Sequence, residues 1–183
     1  MIKELEVKVL NIDKREIEDK LRAVGAELFS KEYQINTIYD DDTRFIKNKL
    51  NGYLRIRETK NLITNESKSI FTLKRNTANE KLRENIETET IIKDDKALAL
   101  ILQHINLKPK HRGTKERISY KYENIRFDID TWDKDTYPYP YLEIEVNCES
   151  DLEKALNLLK LNRDDVTTKS LGQLRMEEGL QDL

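Results

Sequence analysis

The chain has 183 residues, of which 37% are hydrophobic and 37% charged, with a formal net charge of −2. This length fits one domain, spanning residues 1–183, with its own core, while the charged fraction exceeds the roughly 25% typical of soluble domains. The slightly acidic balance argues against nucleic-acid binding through a broad basic surface. The single cysteine, Cys148, excludes an internal disulfide, and no apolar run could span a membrane, so we expect a soluble, cytoplasmic protein.

Apolar and polar residues alternate with period 2 along much of the chain, which is typical of half-buried strands. The strands predicted in this way cover residues 4–9, 33–39, 52–58, 70–75, 82–92, 112–122, 125–132 and 141–146. Short connections between several of them favour adjacent antiparallel pairs.

Three helices are expected between or after these strands. The first begins with Asp13 as N-cap and ends at Gly25, the second covers residues 93–106, and the third begins at Ser150 and ends near Leu161. The tail holds a further short helix. The apolar stripe expected to face the core in the second helix is formed by Leu98, Ile101, Leu102 and Ile105.

Charged residues recur two positions apart on the predicted strands, which places them on one face of each strand. The carboxylates with this spacing are Glu4, Glu6, Glu87, Glu89, Asp128, Asp130, Glu143 and Glu145. The cations on these faces are Lys8, Arg55, Arg57, Lys74 and Arg117, with Lys115, Arg126 and Lys169 as further candidates. Ordinary cross-strand ion pairing on an exposed face would give the same pattern, and for Lys115, Arg126 and Asp128 both interpretations stay open.

The two groups together suit the interior of a closed sheet. Carboxylates are hard oxygen ligands for Mg²⁺ or Mn²⁺, and arginine and lysine bind phosphate oxygens. Burying unpaired ions would cost on the order of several kcal/mol each, whereas bound metal and a polyanion would balance both signs. We therefore expect an α+β fold in which a closed antiparallel β-barrel forms a charged tunnel and the helices pack outside.

Seven ordered motifs resemble those of the CYTH superfamily, the triphosphate tunnel metalloenzymes. The motifs are ExExK at 4–8, RxR at 55–57, a lysine at 74, ExE at 87–89, KxRxxY at 115–120, an aspartate in 127–131 and ExE at 143–145. ExExK alone is weak, but the ordered series covers nearly the whole chain. The superfamily includes class IV adenylyl cyclases, thiamine triphosphatases and inorganic triphosphatases.

The resemblance implies roles for individual residues. The metal would be held by Glu4, Glu6, Glu87, Asp130, Glu143 and Glu145. The triphosphate would lie against Lys8, Arg55, Arg57, Lys74, Arg117 and Lys169, with Lys8, Glu4 and Glu6 as the catalytic residues. Lys169 resembles the basic residue of a C-terminal Lys/Arg-Ser-Tyr element, but Leu171 stands in place of the tyrosine. Asp128 is the alternative to Asp130, which we prefer because it lies nearer the following loop.

Hydrolysis of a triphosphate with Mg²⁺ or Mn²⁺ is the first functional hypothesis, and its substrate would be tripolyphosphate, ATP or thiamine triphosphate. The second is a class IV adenylyl cyclase, but the cyclases of this superfamily carry a His-Phe pair ahead of ExExK, and Met1-Ile2-Lys3 lacks it. The third is a non-catalytic polyphosphate- or nucleotide-binding module, which would not need the carboxylates. In each case we expect a small-molecule partner, no nucleic acid or membrane, and a monomer or homodimer.

Overall fold

The computed structural model describes residues 2–77 and 83–181. Within these ranges the five helices are α1 (Lys14–Ala23), α2 (Phe45–Leu50), α3 (Asp95–His104), α4 (Glu149–Leu159) and α5 (Leu171–Glu177). The nine strands are β1 (Ile2–Val9), β2 (Glu27–Asp40), β3 (Gly52–Asn61), β4 (Ser67–Thr77), β5 (Arg83–Ile92), β6 (Lys108–Tyr122), β7 (Ile125–Trp132), β8 (Tyr141–Val146) and β9 (Val166–Thr167). The predicted α+β class with antiparallel strands is confirmed.

The strands form one sheet in the order β5-β4-β3-β2-β6-β7-β8-β1-β9, and β5 pairs in addition with β1. One edge of β1 meets β8. Its other edge meets β5 through residues 2–6 and β9 through residues 8–9, and all these pairs are antiparallel. The first strand is therefore held by three segments that lie far apart in the sequence.

Apolar side chains cover the outer face of the sheet, and the helices pack against them. The largest cluster joins β1, β6, β7 and β8 to α1 and α4, with Val7, Phe127, Ile144, Leu21 and Leu156 fully or almost fully buried. A second cluster packs α2 and α3 on β2 and β3, and a third packs α5 against Tyr137 and Tyr141. Because side chains alternate across a strand, this outer apolar layer leaves the inner face to the polar residues.

Helix α3 corrects the sequence prediction. Leu102 is buried, but Ile101 and Ile105 are exposed at 56% and 60%. The helix is apolar around most of its circumference, so periodicity alone could not decide which side meets the sheet. Helix α4 also begins two residues earlier than predicted, with Cys148 rather than Ser150 at its N-cap. None of the helices in the described ranges has the length and apolar character needed to cross a membrane.

Candidate active site

The inner face of the sheet lines a cavity of about 580 Å³ to which all of the strands β1 to β8 contribute. Among the described residues, ten lysine and arginine side chains and seven aspartate and glutamate side chains line it. The lining is of mixed sign, and its excess of three positive charges among these residues favours an anionic ligand, because an excess of one sign attracts ions of the other.

Lysines bridge the carboxylates contributed by β1, β5 and β8. Lys8 Nζ lies 3.0 Å from Glu143 Oε1 and 3.8 Å from Glu6 Oε1. Lys74 Nζ lies 2.7 Å from Glu87 Oε1 and 3.6 Å from Glu6 Oε2. Burial alone would raise the pKa of Glu143, but Lys8 and Arg117 hold it well below its usual range. Glu6 is thus shared by two ammonium groups, one from its own strand and one from β4, which is joined to β1 through β5.

Arg117 of β6 is surrounded by three carboxylates. Its Nε lies 2.6 Å from Asp130 Oδ1, its Nη1 2.7 Å from Asp128 Oδ2, and its Nη2 2.6 Å from Glu143 Oε2. Asp130 also accepts a hydrogen bond from Lys115 Nζ at 2.9 Å. Burial acts to lower the pKa of Arg117, but Asp128 and Asp130 raise it well above its usual value. Arg117 is therefore a permanent cation with its guanidinium orientation fixed.

Arg55 and Arg57 share the inner face of β3 and are less compensated. Arg57 Nη2 lies 3.6 Å from Glu89 Oε1, and no carboxylate among the described residues lies within ion-pair distance of Arg55. The Nε atom of each has no hydrogen-bond partner. Burial first, and then Arg55 and Arg117, lower the pKa of Arg57 to about 10. One buried and one partly buried guanidinium group side by side, each with an unpartnered Nε donor, form a site that an anion would stabilise.

Two carboxylates face one another directly where β1 pairs with β8. Glu6 and Glu145 are register partners, and like charges in that position are destabilising. Burial, followed by Asp128 and Glu143, raises the pKa of Glu145 against the opposing effect of Arg126. These oxygen donors have the chemistry that Mg²⁺ or Mn²⁺ requires. Among the described residues, however, no three Asp, Glu, His or Cys side chains converge closely enough to form a metal site.

A comparison with known protein families identifies the family of this chain. The CYTH domain profile matches residues 3–170, nearly the whole chain. The chain belongs to the CYTH domain family. The resemblance predicted from the ordered motifs is therefore confirmed. No curated protein matches this CYTH chain in sequence.

Solved structures agree with this CYTH assignment. The PH1819 protein of Pyrococcus horikoshii OT3 is 24% identical with a TM-score of 0.78, covering 96% of this chain and 99% of that chain. The PH1012 protein of the same organism is 23% identical with a TM-score of 0.75, covering 92% and 96%. HpAC1 from Hippeastrum is 14% identical with a TM-score of 0.67, covering 98% and 97%, and is described as a proposed adenylyl cyclase with a dominant triphosphatase activity. At these identities the similarity establishes a shared fold only.

Most residues predicted from the CYTH motifs come together in the cavity. Those that line it are Glu6, Lys8, Arg55, Arg57, Lys74, Glu87, Arg117, Glu143 and Glu145. The side chain of Glu4 lies outside the described residues, and its backbone pairs with Asn85. Asp130 is fully buried behind Arg117 and Lys115 and does not line the cavity. Lys169 is exposed and bonded to Glu177, so the structure does not bring it into the CYTH cavity.

Neutral and loop residues of the site were missed by the charge pattern. Gln34 and Asn36 of β2 line the cavity and are almost fully buried, and both amide atoms of Asn36 lack a hydrogen-bond partner. Their alternation with Tyr33 and Ile35 was the available signal, but it carried no charge. Arg44 and Lys47 also line the cavity from a segment that the sequence presents only as a polar connection.

Proposed function

We propose that this CYTH protein is a divalent-metal-dependent hydrolase of a triphosphate, which is inorganic tripolyphosphate, a nucleoside triphosphate or thiamine triphosphate. The observation that carries the proposal is the pair Arg55, which is buried, and Arg57, which is partly buried, two guanidinium groups with unpartnered Nε donors that face a set of buried carboxylates. Family membership supports it, and so does the triphosphatase activity described for HpAC1.

The sheet would act as a tunnel closed where β5 meets β1. The five residue pairs from Ile2↔Glu87 to Glu6↔Arg83 support this closure, because β5 begins the strand order and β1 lies near its other end. A closed sheet has no free edge, and its inner side chains lie in a poorly hydrated interior where charge–charge interactions are strong.

The phosphate chain would lie between β3 and β6 on one side and β1 and β4 on the other. Arg55 and Arg57 would donate to phosphate oxygens with the Nε atoms that have no partner in the protein. Arg117 would contribute a guanidinium whose direction is already set by Asp128 and Asp130. Such preorganised donors stabilise developing negative charge without reorientation during the reaction.

Glu6, Glu143 and Glu145, with Glu87 on the neighbouring strand, are the residues we propose to hold metal. The metal would neutralise phosphate charge and lower the pKa of a bound water. Lys8 now lies between Glu6 and Glu143. With those carboxylates engaged by metal, its ammonium would be released to donate to a phosphate oxygen or to orient the attacking water.

A product assay tests the proposal with Mg²⁺ or Mn²⁺ and separate additions of tripolyphosphate, ATP and thiamine triphosphate. We expect orthophosphate without cyclic AMP, and loss of turnover in Glu6→Gln and Glu143→Gln. Glu116→Gln is the matched control, because Glu116 is exposed on β6. Formation of cyclic AMP and pyrophosphate from ATP would show that the protein is a cyclase and not a hydrolase. Binding of a triphosphate without turnover would indicate a binding module, and full activity of both glutamine variants would refute the metal assignment.

A further inference from the structure

One wall of the cavity has a neutral patch between the strands that carry its arginines. Strand β2 lies between β3 and β6. Its side chains Gln34 and Asn36 line the cavity, and so does Thr59 of β3, which is the register partner of Gln34. These three side chains are 1%, 2% and 5% exposed. The patch therefore places uncharged hydrogen-bonding groups where bulk water has little access.

Four polar atoms of this patch have no hydrogen-bond partner. They are Gln34 Oε1, both amide atoms of Asn36 and Thr59 Oγ1. Buried polar groups in native proteins are nearly always hydrogen-bonded. A cluster of exceptions on the wall of a cavity therefore indicates groups that are available to a ligand.

The amide of Gln34 is held in one orientation. Its Nε2 donates to Glu32 Oε2 at 2.6 Å. Because an ionised carboxylate only accepts hydrogen bonds, the amide nitrogen must face Glu32, and Oε1 is left as an acceptor. Asn36 adds a second acceptor and two donors, and Thr59 adds a hydroxyl that can act either way.

The neighbouring cations do not supply the missing donors. Lys115 is the register partner of Gln34 on β6, but its ammonium is bonded to Asp130 at 2.9 Å. Arg57 is the register partner of Asn36 on β3, yet neither amide atom of Asn36 bonds to it. A phosphate chain would not satisfy the two amide oxygens either, because phosphate oxygens are acceptors. The patch therefore requires a ligand group that donates hydrogen bonds.

The position of the patch indicates which part of a ligand would reach it. Directly opposed side chains on antiparallel neighbours have Cβ atoms about 5 Å apart, so Asn36 lies beside Arg57. Gln34 and Thr59 lie two residues further along their strands, about 7 Å beyond this pair and away from Arg55. A phosphate chain on the two arginines would place the group that follows it against the patch.

The chemistry of that next group separates the three substrate classes left open above. In a ribonucleoside triphosphate it is a ribose with two hydroxyls, each of which can donate and accept a hydrogen bond. In thiamine triphosphate it is an alkyl chain on a thiazolium ring, which has no strong donor. Tripolyphosphate has no such group at all.

We propose that Gln34, Asn36 and Thr59 form a subsite for the ribose hydroxyls of a ribonucleoside triphosphate. The proposal rests on the proposed function, since it places the phosphate chain on Arg55 and Arg57. It selects ribonucleoside triphosphates from the substrates named there, and it assigns this preference to a neutral patch and not to the charged side chains.

The test is a calorimetric titration of the full chain in EDTA, so that no turnover occurs. The ligands are ATP, 2′,3′-dideoxy-ATP, which lacks both hydroxyls, purine riboside triphosphate, which lacks the amino group of the base, and tripolyphosphate. The wild-type protein should bind ATP more tightly than dideoxy-ATP by roughly tenfold or more, because a site built for a hydroxyl rejects an analogue without it. Its affinity for purine riboside triphosphate should equal that for ATP.

Two variants locate the preference on the patch. Gln34→Met and Asn36→Leu retain approximate side-chain shape without the amide, and each should bring the ratio of the affinities for ATP and dideoxy-ATP toward one. Gln103→Met is the matched control, because Gln103 is exposed on α3 and does not line the cavity. Asn36→Leu also removes two unpartnered buried atoms, so this variant should melt at a higher temperature than the wild-type protein without ligand.

Equal binding of ATP and dideoxy-ATP by the wild-type protein would overturn the proposal and would leave ordered water as the partner of these atoms. So would a loss of affinity confined to purine riboside triphosphate, which would assign the patch to the base, or an unchanged ratio in both variants. The comparison of ligands on the wild-type protein does not depend on any variant folding. Binding of tripolyphosphate without a preference for the hydroxyls would refute the subsite alone, whereas failure of every ligand to bind would also refute the proposed function.

Discussion

Replacing Arg55 by methionine should make the ligand-free protein more stable while weakening its binding of triphosphate. Arg55 is 8% exposed and faces Arg57 on the same strand. The pKa of Arg57 is lowered to about 10, with burial as the largest cause and Arg55 next. At about 1.36 kcal/mol per pKa unit the whole shift corresponds to roughly 3 kcal/mol. Burial takes the larger share, and Arg55 also lowers the pKa of Glu87, a favourable interaction that the substitution removes, so we expect a gain of at most about 1 kcal/mol. Methionine keeps an aromatic contact with Tyr53.

A gain of about 1 kcal/mol should raise the melting temperature by roughly 2–4 °C in a protein of this size. Loss of a charged hydrogen bond should weaken tripolyphosphate binding by about 1.5–3 kcal/mol. Both effects are measurable, by thermal denaturation monitored by circular dichroism and by calorimetric titration. Arg75→Met is the control, since Arg75 is exposed on the other face of β4 and should change neither quantity. A fall in melting temperature of more than about 2 °C, or an unchanged affinity, would refute the reasoning.

Two further predictions concern pH and packing. Burial, followed by Arg117, lowers the pKa of Lys115 in the folded protein to about 8, from 10.5 for an unperturbed lysine. Between these two pH values Lys115 is protonated in the unfolded chain but mostly neutral in the folded protein. The free energy of unfolding therefore rises with pH in this range. Urea unfolding should show the wild-type protein gaining about 2 kcal/mol over Lys115→Met from pH 8 to 10, and parallel curves would contradict the assignment. In α3, Leu102→Ala should lower the free energy of unfolding by about 3 kcal/mol, whereas Ile101→Lys should change it by less than about 0.5 kcal/mol. A large loss of stability in Ile101→Lys would show that this face of the helix is covered.

The sequence predicted the charged inner face well because strands have a fixed period of two. Once Leu5 and Val7 are assigned to the apolar face, Glu6 and Lys8 must take the other. The same logic located Arg55 and Arg57, and it needed no knowledge of the partner strands.

The position of a charged side chain was harder to predict where several partners compete for it. Asp130 was expected as a metal ligand but is buried behind Arg117 and Lys115, since opposite charges on paired strands neutralise one another first. Lys169 bonds to Glu177 at the end of α5, a local ion pair that the order of the motifs does not reveal. Arg44 lines the cavity because Asp40 and Asp41 fix the turn that leads into α2, a tertiary arrangement that no periodicity reveals.

The position of β1 has a consequence for how the chain folds. It precedes the other described strands in the chain, yet its register with β8 pairs Glu6 with Glu145, and its partner β5 lies many residues away from both. Such non-local pairing lowers folding rates, because the entropy of closing long loops is lost before the contacts form. During synthesis β1 has neither neighbour, and its apolar Val7 and Val9 stay uncovered until most of the chain has been made. The final assembly of the sheet, and with it the charged interior, is therefore expected to be the slow step of folding and the stage most exposed to aggregation.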